Sequence, residues 1–196
     1  GVNVKIANDG EILVQSDSVM EGYYKHPKET SDTIINEWLH TGDIGELDAD
    51  GYIKITDRKK ELFKTSGGKY IAPAQIEEML KQLNYIEQIL IIGNERMFVT
   101  SLIVPQIEHL KMLAGKLKVN YKSEKELHGN KEILKEIEKD INSVQKNLAA
   151  YEKVRRFALL EEPFSVENNQ LTPTLKVKRK IVEERYKDVI EKMYEK

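Results

Sequence analysis

The sequence predicts an α+β chain: a β-rich opening segment with a hairpin, then a small α+β C-terminal region into which a helical stretch is inserted. Three observations carry that prediction. Short apolar runs broken by Gly and Asp turns fill residues 1–57. A charged, loop-like passage follows, Arg58-Lys59-Lys60-Glu61, and supplies the best domain boundary, between 1–57 and 58–196. Beyond it, buried-type strands alternate with segments of helical periodicity.

Taken in order, Glu11-Ile12-Leu13-Val14-Gln15 is an apolar run after the turn former Asp9-Gly10. Ile44–Leu47 and Tyr52–Ile55 flank Asp48-Ala49-Asp50-Gly51 as the strands of a hairpin. Thr65-Ser66-Gly67-Gly68-Lys69 reads as a loop. Pro73 then opens a helix with Ile76, Met79, Leu80 and Leu83 on one face, a position that suits proline. Ile89–Ile92 and Phe98–Val104 are strands around a turn at Gly93–Arg96. Leu134, Ile137, Ile141, Val144 and Leu148 recur at 3-4-3-4 spacing among Lys and Glu. That stripe fits a helix packed on its own domain, or else a coiled-coil or membrane-surface helix. A strand at Val154–Leu160 and a final helix with Val182, Tyr186, Val189 and Met193 complete the chain.

Composition removes whole classes of function. The 31 Lys+Arg against 33 Asp+Glu leave a net charge of -2, too balanced for bulk attraction to nucleic acid or a membrane surface. Zero cysteines exclude disulfides, thiolate metal sites and cysteine nucleophiles. His26, His40, His109 and His128 are scattered and assign no metal site. No apolar run reaches the roughly 18 residues of a membrane helix. The chain opens Gly1-Val2-Asn3 without an initiator methionine, which suggests a processed or trimmed piece.

Several residues could carry chemistry, each with a plainer alternative. Asp43, in Thr41-Gly42-Asp43, offers two acceptor oxygens that match the two hydroxyls of a ribose, although Asp also favours turns. Arg58 follows the second hairpin strand and could return beside Asp43 on one ligand, or form an ordinary surface ion pair. Gly67-Gly68 could let a narrow ligand pass close to backbone, or make a tight turn. Lys176 lies in Leu171-Thr172-Pro173-Thr174-Leu175-Lys176-Val177-Lys178-Arg179-Lys180, a basic patch or a loop entering a helix; without interleaved aromatics it is no nucleic-acid surface. The glycines form no Gly/Ser/Thr-rich phosphate cradle, so a nucleoside triphosphate would be held mainly by residues outside this chain.

In this order the segments resemble the adenylate-forming acyl-CoA synthetases, in particular the long-chain fatty-acid–CoA ligase branch. The resemblance runs from Gly10-Glu11-Ile12-Leu13-Val14, Gly22-Tyr23-Tyr24 and Thr30 to Trp38–Asp43, Gly51–Glu61 and Thr65–Pro73. It then takes in Ile76-Glu77, Leu171–Lys176 and Lys178-Arg179. The polar helical stretch Gln106–Tyr151 is similar to the fatty-acyl branch. The resemblance implies ATP, Mg2+, a fatty acid and coenzyme A as small-molecule partners, with none required for folding. It implies a large N-terminal domain upstream of Gly1 carrying the phosphate loop and acyl pocket, ending at about residue 57, and a mobile C-terminal domain over 58–196. A fragment of this kind is expected to be inactive alone. The expected location is the cytoplasm, or a peripheral membrane association of the intact enzyme.

By the same resemblance Asp43 holds the ribose hydroxyls, Arg58 contacts the nucleotide and Ile55 walls the nucleoside. Lys60 is the hinge. Gly67 and Gly68 line the pantetheine tunnel, with Lys69 near coenzyme A and Lys64 linked to the second half-reaction. Lys176 is the adenylation lysine, preceded here by Leu175 where relatives often carry Gly. Two alternatives remain open: a fatty-acyl-AMP ligase or other adenylating enzyme without coenzyme A, and a non-enzymatic helical interaction module.

Overall fold

A computed structural model describes residues 1–195. The chain divides into two compact units, Gly1–Leu62 and Phe63–Lys196, a division a few residues beyond the passage where the sequence changes character.

The first unit is a five-stranded antiparallel sheet. β1 (Asn3–Ile6) pairs with β2 (Glu11–Gln15), and β2 pairs with the long β4 (Trp38–Leu47). A short helix α1 (Pro27–Thr33) leads into β3 (Ile34–Ile35) at the edge beside β4. The β4–β5 hairpin closes on β5 (Ile53–Arg58). Its turn is tied by Asp48, whose Oδ1 accepts the backbone N–H groups of Asp50 and Tyr52. β1 and α1 are absent from the sequence reading for a physical reason. β1 alternates between exposed and half-exposed positions and α1 buries no residue, so neither leaves a strong apolar pattern.

The second unit opens with a small hairpin, β6 (Phe63–Lys64) and β7 (Tyr70–Ile71), followed by α2 (Pro73–Leu80). Its centre is a three-stranded sheet in the order β10-β9-β8. β8 (Ile86–Ile92) and β9 (Val99–Pro105) are antiparallel; β10 (Val154–Leu159) joins β9 in parallel. Between β9 and β10 the chain forms α3 (Ile107–Leu117), α4 (Glu124–Gly129) and α5 (Lys131–Val144). The insertion foreseen over Gln106–Tyr151 is therefore helical. The chain ends with α6 (Arg179–Arg185) and α7 (Lys187–Tyr194), two helices broken at Tyr186 where a single one was expected.

The sheet is buried on both faces, which is why β8 and β9 read as unbroken apolar runs rather than alternating ones. Ile89, Ile91, Val99 and Ile103 face a core shared with Ile76 and Leu80 of α2, Leu110 of α3, Leu127 of α4 and Ile133, Ile137 and Ile141 of α5. Leu90, Ile92, Leu102 and Val104 face the opposite core, with Phe164, Val182, Ile190 and Met193. The α5 stripe is thus packed on its own domain. Its buried line is Ile133-Ile137-Ile141; Leu134 and Val144 flank it, and Leu148 lies beyond the helix.

Truncating Ile137 to Ala removes a side chain with no exposed surface and should destabilise the protein by about 2–5 kcal/mol. Leu134→Ala, on the flank, should cost well under half as much. Urea denaturation of the two variants checks this; the reverse ranking would mean that the stripe serves a surface outside its own core.

Candidate functional site

The first unit brings Asp43 and Arg58 together. They are direct partners in the β4–β5 register, and Arg58 Nε lies 2.8 Å from Asp43 Oδ1. The aspartate is mostly covered and the arginine mostly exposed, so the pair presents a fixed carboxylate beside a cation open to solvent. Gly42 makes the turn before it, at φ +73, a conformation that would strain an L side chain. The Asp43 N–H donates to Thr41 Oγ1 (3.1 Å), and that hydroxyl donates to the Ile12 carbonyl (2.8 Å). Ile55, in the middle of β5, is 63% exposed, an apolar surface left uncovered on the strand.

Beneath this turn is a residue that the sequence reading treated only as part of a strand. The Glu11 side chain is 4% exposed and takes three partners: the Gly42 N–H at 3.0 Å, His40 Nδ1 at 2.8 Å and Lys59 Nζ at 2.9 Å. Burial pushes its carboxyl up, but the hydrogen bonds from Lys59, His40 and Gly42 outweigh that and hold it below its ordinary value. Lys59 also reaches Asp9 Oδ2 at 2.8 Å, and its N–H donates to the Gly42 carbonyl at 2.8 Å. These carboxylates raise the Lys59 ammonium, Asp9 contributing first. The signal available in the sequence was a carboxylate at the head of an otherwise apolar run.

Lys59 is therefore bound to the first unit by backbone and side chain. The next residue, Lys60, is exposed, and the N–H groups of Glu61 and Leu62 both donate to the Arg58 carbonyl. Phe63 begins the second unit.

In that unit Lys64 pairs with Tyr70 in the β6–β7 hairpin, and Lys69 ends the loop just before β7. Lys64 Nζ stands 5.5 Å from the Tyr70 ring and Lys69 Nζ 5.6 Å from the Tyr151 ring. Buried Thr65 closes the loop: its N–H donates to the Lys69 carbonyl (2.9 Å) and its carbonyl accepts from Gly68 (2.8 Å). Gly68 has φ +79, so the turn itself demands glycine there. Gly67 differs. Its φ is not in the left-handed region, and a Cβ would meet only Thr65 Oγ1, at 3.9 Å. The fold itself does not require glycine at 67.

Lys176 sits on a separate turn, closed by a bridge between Leu171 and Val177. The Thr172 N–H donates to the Lys176 carbonyl (2.8 Å), and the Lys176 N–H donates to Thr172 Oγ1 (3.0 Å). Among the described residues the exposed Lys176 ammonium has no hydrogen-bond or ion-pair partner. Leu175, exposed, holds φ +61. That left-handed backbone is one a glycine adopts freely; leucine holds it at a cost of about 1–2 kcal/mol. Beyond the turn, Arg179 donates to both oxygens of Glu77 at 2.8 and 2.9 Å and to the Ile91 carbonyl at 3.1 Å. Glu77 also accepts the Ile91 N–H, and its burial raises the carboxyl despite Arg179. Among the described residues no hydrogen bond or ion pair joins the Lys176 turn to the Gly67-Gly68 loop.

With this geometry in hand, residues 61–196 match the profile of the AMP-binding enzyme C-terminal domain. The chain belongs to that family. A long-chain-fatty-acid–CoA ligase of Mycobacterium tuberculosis, FadD15, is 34% identical over 200 residues, covering 100% of this chain and 33% of the relative. Long-chain-fatty-acid–CoA ligase 5 of Rattus norvegicus is 39% identical over 194 residues, covering 97% and 28%. The chain thus spans about a third of the length of the curated relatives it matches. Among solved structures, the adenylation domain of a carboxylate reductase from Mycobacterium chelonae superposes with a TM-score of 0.73 at 24% identity, covering 99% of this chain and 31% of that one. An adenylation–carrier didomain of a carboxylic acid reductase from Segniliparus rugosus gives 0.69 at 24%, covering 99% and 27%. At these identities the structural likeness speaks for the fold, an adenylation-domain α+β arrangement.

The depressed Glu11 carboxyl makes a prediction about acid. Its contribution to stability is complete above the ordinary carboxylate value of 4.5 and is lost as pH falls through the lowered folded value. In Glu11→Gln this part of the pH dependence should disappear, with the variant already less stable at neutral pH. Thermal unfolding between pH 7 and 3 measures it; parallel curves for the two proteins would remove Glu11 from the account.

Proposed function

We propose that these residues are the C-terminal part of an ATP-dependent, AMP-forming long-chain fatty-acid–CoA ligase. Such an enzyme joins a fatty acid to AMP and then passes the acyl group to the thiol of coenzyme A. The observation that carries the reading is Lys176: a cation with no hydrogen-bond or ion-pair partner among the described residues, on a turn closed by its own hydrogen bonds and followed by a largely covered ion-pair anchor. The names of the relatives, at 34% and 39% identity across essentially the whole chain, support the substrate class.

The chemistry asks for that cation. A carboxylate oxygen attacks the α-phosphorus, the new C–O–P linkage forms, and the bond to pyrophosphate breaks. The attack brings two anions together. An ammonium bridging them reduces the repulsion and stabilises charge developing in the transition state. Held by a fixed turn in a site closed to water, it does so far better than in bulk solvent. In the second step the coenzyme A sulfur attacks the acyl carbon and AMP leaves.

The other candidates take complementary parts. Asp43, steadied by Arg58 and by the Glu11-braced turn, accepts the ribose hydroxyls, with Arg58 on the nucleotide and Ile55 against the nucleoside. Gly67 and Gly68 let pantetheine pass, with Lys64 and Lys69 flanking it. The adenylation lysine and the thiol passage serve successive steps, so the C-terminal unit must turn between them. Lys60 is the point of rotation, because Lys59 is clamped to the first unit and Lys60 is the first residue free of that clamp. Among the described residues no group of three or more His, Cys, Asp or Glu side chains gathers where it could hold a metal ion, so no step is assigned to Mg2+ on this chain. No helix among the described residues is long and apolar enough to cross a membrane.

The tests use the complete protein that carries these residues. Lys176→Ala should slow acyl-adenylate formation about 10²–10³-fold, read as pyrophosphate release, while thioester formation from preformed acyl-adenylate is spared. Equal loss in both half-reactions would sink the assigned role, and an acyl-adenylate that never passes to coenzyme A would favour an acyl-AMP ligase. Lys60→Pro should stall overall turnover by restricting rotation about the backbone at that residue. Unchanged turnover would count against the hinge.

A further inference from the structure

A concave apolar surface with no part in the adenylation or thioester chemistry lies between α5, β10 and α7. It is a shallow groove, open along most of its face, with a volume of about 540 Å3. Leu134, Phe157, Ala158, Val189 and Met193 supply its apolar lining. All five are partly or fully buried, and none belongs among the exposed large hydrophobics of the chain. The apolar surface is therefore recessed rather than protruding.

The charges around it are one-sided. Lys131, Lys135, Arg155, Arg156 and Lys192 line the groove against one carboxylate, Glu138. Arg156 is engaged by the Met193 and Glu195 carbonyls at the end of α7. Lys131, Lys135, Arg155 and Lys192 have no ion-pair partner among the described residues. Three lysines elsewhere in the same unit are paired: Lys111 with Glu108 and Glu124, Lys125 with Glu161, Lys139 with Glu136. Glu132 and Glu136 of α5 line an adjoining hollow that shares Lys135 and Glu138 with the groove. In a chain whose net charge is -2, this local excess is a matter of placement and not of composition.

We propose that the groove binds a single-chain amphiphile with an anionic head. The chain lies over Leu134, Phe157 and Val189, and the head sits among Lys135, Arg155 and Lys192. Apolar burial and unopposed positive charge meet in one place, which is the complement of such a molecule. The recess favours a chain that enters the groove over a bilayer, which would need apolar side chains that project. This inference is independent of the ligase reading, and the two can fail separately.

The test is calorimetric titration of the 196-residue chain with dodecyl phosphate below its micellar concentration. One saturable site per chain is expected. Inorganic phosphate and dodecyltrimethylammonium, which keep only the head or only the chain, should each bind at least about ten-fold more weakly. The surface double variant Lys135→Ala/Lys192→Ala should lose about ten-fold in affinity with unchanged circular dichroism and Tm, and Lys135→Arg/Lys192→Arg should restore it. Non-saturating uptake, equal binding of the cationic amphiphile, or equal affinity of the alanine variant would overturn the proposal. So would binding to phosphatidylglycerol vesicles without binding of monomeric dodecyl phosphate, which would assign the face to a lipid surface.

Discussion

The Arg179–Glu77 ion pair is the contact on which the larger unit's functional end depends. A carboxylate as buried as Glu77 is tolerable only when it is paired and hydrogen-bonded, and here its oxygens meet a bidentate guanidinium and the Ile91 N–H. The same guanidinium also reaches the Ile91 carbonyl. One side chain therefore fastens the start of α6 to α2 and to the edge strand β8. Its position, three residues after Lys176, fixes where the exposed lysine turn can stand. Breaking a pair of this kind typically costs about 3–5 kcal/mol, because the remaining charge stays buried.

The smaller unit solves the corresponding problem with Glu11. Its buried carboxylate holds the Gly42 turn, His40 and Lys59 together, so the Asp43 carboxylate and the last clamped residue before Lys60 share one support. In each unit a largely covered acid braces a group that the proposed chemistry uses: the mostly covered Asp43 in one, the exposed Lys176 in the other. Positioning by rigid, charge-assisted hydrogen bonds suits groups that must meet a nucleotide in a fixed geometry.

Much of this was legible from the residues alone. The unbroken apolar runs of β8 and β9 signalled a sheet covered on both faces, and Asp48–Gly51 signalled the hairpin that sets Asp43 opposite Arg58. β1 and α1 were not legible because they bury little, and the break at Tyr186 has no proline or glycine to announce it. The α5 stripe was readable as helical, but its period alone could not say whether the apolar line faced its own core. At the candidate site Asp43, Arg58 and Lys176 stood out as chemistry in a turn or loop. Glu11 did not, since a carboxylate heading an apolar strand looks like a solvated end until its three partners, from residues 40, 42 and 59, are brought to it.

The sequence by itself determined the family and the order of the strongly patterned elements, because apolar periodicity and turn chemistry are local properties of the chain. Tertiary structure alone decided which acids are buried, that Leu175 carries a left-handed backbone, that Gly67 is not needed by its own turn, and that the cations of α5, β10 and α7 line one groove. Each of these depends on segments far apart in sequence meeting in space. Burial, pairing and charge placement are properties of that meeting and not of any one segment.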